Sequence, residues 1–254
     1  MATLACSSNG KEGASPAVIA TTAATVPAAV TAAPVVEPTK PSAAATPTSL
    51  PAGTSNDEAV AFGAADGAIL RGHLFSVPGP KRRVVIFVAP AQEAWRTQAL
   101  SLVGPGTDVL LFDMRGYGAS TERADPGKLD LDVEAAVRFM RSRDYALYYL
   151  VGADVGGTAS LKVAARQDLA LVVTISAPLS VPNGIDARAD LAAISEPKVF
   201  IAARGDVEAV NAVNAMMQAA PQPKEGRIVE GSAHGAALLD ATAAKQLQAD
   251  VLAR

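Results

Sequence analysis

From about residue 57 the chain alternates between two hydrophobic rhythms. Ala59 to Gly63 and Ala68 to Phe75 straddle Ala65-Asp66-Gly67, a turn signal, and predict a β-hairpin. Arg83 to Val88 and Asp108 to Phe112 are short, nearly continuous apolar runs, the pattern of strands buried on both faces. Between them Gln92 to Val103 reads as a helix. Leu129 to Arg141 places apolar residues at Leu131, Val133, Ala136, Val137 and Met140, a helical spacing. A strand over Ala146 to Val151 leads through Gly152-Ala153-Asp154 into a helix over Val155 to Arg166. Leu169 to Ile175, Lys198 to Ala202 and Gly226 to Val229 read as three further strands, the last two followed by helical patterns at Val207 to Ala219 and Ala236 to Ala253. Strands alternating with helices at this spacing imply an α/β fold, a mostly parallel sheet covered on both faces.

Composition divides the 254 residues in two. From Ala14 to Thr54 the chain is nearly all Ala, Pro, Thr, Ser and Val, with Glu37 and Lys40 its only charges and seven prolines. Such a stretch supports no continuous helix or central strand, and it buries too little to offset the entropy of ordering it. Residues 1–56 are therefore expected to be a disordered, semi-extended tether, and 57–254 a single folded domain. The lone cysteine, Cys6, rules out an internal disulfide and any multi-cysteine metal site. Leu4-Ala5-Cys6-Ser7-Ser8 is similar to the cleavage region of a bacterial lipoprotein signal, which would make Cys6 a lipid anchor and the protein secreted or bound to the cell envelope. Only five residues precede Cys6, so either the true start lies upstream or Cys6 is a thiol in a mobile tail of a cytoplasmic protein. With a net charge of −3 and no basic cluster larger than Lys81-Arg82-Arg83, nucleic acid is not an expected partner. No apolar run approaches the ~20 residues of a membrane span.

The most informative segment is Tyr148-Tyr149-Leu150-Val151-Gly152-Ala153-Asp154-Val155-Gly156-Gly157-Thr158-Ala159. An apolar strand, a very tight turn among small residues and a helix follow one another, the layout of a G-x-S-x-G nucleophile elbow with Asp154 where the serine would stand. Asp113-Met114-Arg115-Gly116-Tyr117-Gly118-Ala119-Ser120 adds a D-x-R-G-x-G-x-S turn, and Ser232-Ala233-His234-Gly235 puts a late histidine after the last strand. In this order the three resemble an α/β-hydrolase over residues 57 to 254, of the small esterase-like or dienelactone-hydrolase-like branch. The resemblance implies a three-layer sandwich with a mostly parallel sheet of eight strands. The Ser176–Pro197 segment is too short for a lid domain. It also implies a small-molecule ester or lactone as substrate and neither metal nor organic cofactor.

Carried over residue by residue, the resemblance makes Asp154 the tip of the elbow, Asp206 the acid and His234 the base. Its oxyanion hole would use the backbone N–H of Val155 and one from the loop Val88-Ala89-Pro90-Ala91-Gln92, where Pro90 has none to give and Ala91 is the neighbour that could donate. Each residue also has a plainer reading. Asp206 could simply cap the following helix, and His234 could be a solvated loop residue. His73 falls in the hairpin, away from these loops. For Asp154 three chemistries remain open: weak acyl hydrolysis, a site that binds without turning over, and a carboxylate nucleophile acting on an sp³ carbon, as in dehalogenases and epoxide hydrolases. The last needs a leaving-group partner, yet Tyr117, Tyr145, Tyr148 and Tyr149 all precede the elbow and the one tryptophan is Trp95.

Overall fold

The computed structural model describes residues 56–120, 122–239, 245–246 and 249–250. Of the tether expected over residues 1–56 all but Asn56 lies outside the described residues, as do the anchor reading of Cys6 and most of the helix anticipated over 236–253. The hairpin is β1 (Asn56–Gly63) and β2 (Ile69–Ser76), so the first strand begins at Asn56, one residue ahead of the anticipated boundary. Then come β3 (Arg83–Ala89), a 3-10 turn (Gln92–Trp95) running into α1 (Arg96–Leu102), and β4 (Thr107–Asp113). After these follow α2 (Leu129–Arg141), β5 (Leu147–Ala153), α3 (Val155–Ala164), β6 (Leu171–Ile175), β7 (Lys198–Ala203), α4 (Val207–Ala219) and β8 (Lys224–Val229). At the C-terminal end Gly235–Leu238 is a 3-10 turn rather than the α-helix expected from Ala236, while residues 245–246 and 249–250 are helical.

The eight strands form one sheet in the order β1-β2-β4-β3-β5-β6-β7-β8. The pairs of β3 with β4 and with β5, and every pair from β5 to β8, are parallel; only the hairpin and its junction to β4 are antiparallel. Burial on both faces explains the continuous apolar runs. Val84, Ile86, Val88, Leu150, Val172 and Phe200 face one core with α2, α3 and α4. The alternate residues Val85, Phe87, Val109, Tyr149, Val173 and Ile201 face the other with α1, Trp95 and Leu238. Burying each large side chain contributes roughly 1.5–3 kcal/mol, so the two layers hold the sheet edge to a fixed shape. Between Ser176 and Pro197 the described chain makes only the isolated bridge of Ser180 with Asp186 and a short 3-10 turn (Leu191–Ala193), and no lid is present there.

The D-x-R-G-x-G-x-S turn after β4 is built around two buried carboxylates. Asp113 accepts the backbone N–H groups of Gln92 at 2.8 Å and Ala119 at 2.8 Å and the side-chain amide of Gln92 at 2.9 Å, tying the turn to the loop after β3. Gly118 (φ 48°) passes so close that an added Cβ would lie 2.2 Å from Asp113 Oδ2. Arg115, itself buried, donates to Asp132 of α2 through Nε and Nη2 at 2.8 and 2.6 Å and to Asp66 of the hairpin turn at 2.7 Å. The Arg115 guanidinium beside Asp66 holds its carboxyl well below the ordinary carboxylate range. Ser120 closes the turn, donating to Asp113 O at 2.7 Å and accepting the Arg71 N–H at 2.9 Å.

At the centre of the sheet three glycines leave no room for a side chain of their own. A Cβ on Gly156 would sit 2.3 Å from Val88 O, one on Gly152 2.6 Å from Gly156 O, and one on Gly157 2.5 Å from the Ala177 side chain. Gly156→Ala should therefore push α3 off β3 and cost on the order of 1–3 kcal/mol, the usual penalty for overpacking. Gly63→Ala, whose Cβ meets only Ile69 Cδ1 at 3.8 Å, should stay within ~0.5 kcal/mol of the parent. Thermal unfolding of both variants checks the contrast.

Candidate active site

Strand β5 hands over to α3 through one residue, Asp154, at φ 50°, ψ −131°. For a side chain with a Cβ this conformation costs of order 1–3 kcal/mol, and it persists because both flanks are fixed. The Asp154 N–H donates to Ile175 O of β6 at 3.0 Å, and its carbonyl accepts from Gly157 and Thr158 at 2.9 and 3.3 Å. An aspartate preceding a helix ordinarily folds its carboxylate onto the first-turn N–H groups. Here the side chain makes no such bond and stands clear of its own helix, 45 % exposed. Val155 and Gly156 open α3, so their N–H groups have no intrahelical acceptor.

His234 reaches the same edge from the loop after β8, and Asp206 from the end of β7. His234 Nδ1 lies 2.6 Å from Asp206 Oδ2. Since a carboxylate only accepts, Nδ1–H is the donor, and Nε2 is the ring nitrogen turned toward Asp154. Nε2 lies 3.8 Å from Asp154 Oδ1, beyond hydrogen-bond length. A hydroxyl in place of the carboxylate at the tip could donate to Nε2 of a neutral ring. Asp206 also caps α4, its Oδ1 accepting the Ala209 N–H at 3.2 Å. Its two sequence readings are thus both contacts of one side chain, one oxygen for the helix and the other for the imidazole.

Two cavities meet at Asp154 and His234. One, of about 280 Å³, is walled by small apolar residues, Ala91, Ala94, Ala153 and Ala236 among them. The other, of about 290 Å³, combines Ser176, Ser180, Arg188 and Glu208 with the apolar Pro178, Leu179, Ala209 and Ala212. Ala91 lines the first, in the loop where the resemblance puts an oxyanion donor. The neighbouring groups of that loop are committed, Pro90 O to Met114 N–H and Gln92 N–H to Asp113. A larger groove of about 600 Å³ runs beside Arg115, Arg123 and Lys128 and contains none of Asp154, Asp206 and His234; Arg115 is already paired with Asp66 and Asp132. His73 lines neither cavity near Asp154 and pairs with Asp57 within the hairpin.

Sequence reading missed Ser176, Arg188 and Glu208. Ser176 directly follows β6, and its neighbour Ile175 pairs with Ala153, so it stands beside Asp154 at the sheet edge. A Ser-Ala-Pro run ending a buried strand was the available signal, whereas its φ of 50° and its burial are visible only in the structure.

The double role of Asp206 has a measurable signature. Asp206→Ala should lose about 1 kcal/mol of stability with the cap, and Asp206→Asn less. Both should release the imidazole from a single tautomer, read in the ring nitrogen shifts of His234. A variant that leaves those shifts unchanged would show that Asp206 does not orient the ring.

No protein-family model matches this chain, and no curated protein sequence does. Solved structures do. The esterase domain of a Rhodothermus marinus protein superposes with a TM-score of 0.60 at 20 % identity, over 78 % of this chain and 97 % of that one. A dienelactone hydrolase from Anabaena variabilis gives 0.63 at 18 %, over 78 % and 95 %. An alpha-beta serine hydrolase homologue from Coxiella burnetii gives 0.61 at 18 %, over 77 % and 96 %. At this identity the likeness is one of architecture, and it agrees with the strand order and the elbow: the chain has the α/β-hydrolase fold, with no lid among the described residues.

Proposed function

We propose that this protein is a hydrolase of small esters or lactones by descent, whose own turnover is weak because a carboxylate stands at the tip of the elbow. The observation that carries the reading is the line Asp206–His234–Asp154, with the imidazole held at 2.6 Å on one side and facing an acceptor at 3.8 Å on the other. In acyl transfer of this kind the imidazole takes a proton from a hydroxyl as that oxygen attacks, and two N–H groups receive the oxyanion. The Asp154 carboxylate has no proton for His234 to take. Its attack on an ester would form an anhydride, no more stable than the ester it came from. Val155 and Ala91 are the donors the fold offers, and loss of one such donor typically costs ~10²–10³ in rate.

Binding without turnover is the second reading. It is favoured by the two cavities that flank Asp154, together within the ~300–1,000 Å³ usual for small-molecule sites. Alkyl transfer to Asp154 has less support. Trp95 is fully buried against Phe87 at 5.1 Å between ring centroids, and neither it nor any tyrosine lines the two cavities.

Asp154→Ser separates these readings. The change restores a hydroxyl opposite His234, and short-chain nitrophenyl ester hydrolysis should rise at least ~10-fold above the parent while staying ~10²–10³ below an efficient esterase. A parent faster than the variant would mean that Asp154 is a working catalytic group and that the reading is wrong.

A further inference from the structure

Ser176 carries two costs at once. Its hydroxyl is buried and has no hydrogen-bond partner among the described residues, and its backbone sits at φ 50° without being glycine. Unmet buried polar groups and left-handed non-glycine residues are each costly, and they collect where a ligand repays them. Ser176 lies under the cavity shared with Asp154 and His234, and a serine hydroxyl re-aims by rotation about a single bond. Nothing in the acyl-transfer geometry uses it.

The rest of that cavity defines what could satisfy it. Arg188 spends two of its five N–H donors on Asp186 and on Ser180 Oγ at 2.9 Å among the described residues. Glu208, on the first turn of α4, presents a carboxylate to the same space. Glu208 and Asp154 disfavour an anion, and a cation, which only donates, has no acceptor for the remaining Arg188 N–H groups. A neutral group bearing hydroxyls both donates and accepts, and so suits donors and acceptors together. The alanine-walled cavity across Asp154 adds no polar side chain beyond Asp154 and His234 and suits a short hydrocarbon group.

We infer that the Ser176–Arg188–Glu208 cavity is a subsite for a neutral, hydroxyl-bearing group such as glycerol or a sugar, with the Ser176 hydroxyl as its buried contact. The ligand's short apolar part occupies the alanine-walled side. This inference rests on the proposed small-ester site.

The test is binding to the full chain, read in the ring proton shifts of His234. His73, the only other histidine, serves as internal control. Glycerol monobutyrate should bind about fivefold or more tighter than methyl butyrate, the worth of roughly one hydrogen bond, and tighter than the anion monomethyl succinate. Ser176→Ala and Arg188→Ala should each bring the two butyrate esters to within about twofold. If Ser176→Ala does not fold, Arg188→Ala, an exposed position, decides. Equal binding of the two butyrates by the parent, tighter binding of the succinate, or an unchanged ratio in the variants overturns the subsite and leaves the ester-site reading standing. If no ester moves His234 while His73 stays still, the subsite and the ester-site reading fall together.

Discussion

Close approach at three glycines, two against backbone and one against the Ala177 methyl, sets the geometry of this protein. Gly152 ends the core of β5, Gly156 opens α3 against Val88 O of β3, and Gly157 meets Ala177 beyond β6. Because these three positions lack a Cβ, the helix starts against the sheet with a single residue of turn, and that residue cannot relax to an ordinary φ. Asp154 is consequently held above the carboxyl edge with its side chain turned from its own helix. The same edge receives Asp206 from β7 and His234 from the loop after β8, so residues far apart in sequence converge without a dedicated scaffold. In open α/β sheets this edge is where ligands bind.

A second layer of polar bonds fixes the other wall of the site. Asp113 holds both the loop after β3 and its own turn, while Arg115 links that turn to α2 and the hairpin through Asp132 and Asp66. The D-x-R-G-x-G-x-S pattern therefore has a structural reason here that is separate from any chemistry. Its glycine at 118 makes room for the Asp113 carboxylate, and its serine ties the turn to β2. Through Gln92 the network also sets where Ala91 stands. A chain can keep all of this with a changed tip residue, because none of these bonds involves the Asp154 side chain.

Much of the architecture was legible in the sequence because burial on two faces and one-sided helices leave distinct periodicities. Helices α2 and α4 match the predicted spans residue for residue, and the strands differ by one to a few residues at their ends. The placement of Asp154, Asp206 and His234 at one edge followed from resemblance and topology. The helix expected from Ala236 is a 3-10 turn at its start, since local apolar spacing does not distinguish the two. The split of Gln92–Val103 into a 3-10 turn and α1 was hidden for the same reason, and Asp113 draws the Gln92 N–H out of any longer helix. Ser176 was invisible as a site residue because its significance lies in a torsion and an unmet hydroxyl, both products of tertiary packing. The two functions of Asp206 looked like alternatives because a sequence shows one residue, not two oxygens.

The central proposal is that Asp206 and His234 are set to activate a hydroxyl at the elbow, where a carboxylate now stands. Labelling with a fluorophosphonate, followed by mapping of the adduct by mass spectrometry, tests this most directly because it needs an activated hydroxyl but no turnover. The account predicts no adduct on the parent, an adduct at position 154 in Asp154→Ser, and its loss when His234→Ala is added. An adduct on the parent at another serine, or a folded Asp154→Ser protein that stays unlabelled, would contradict it.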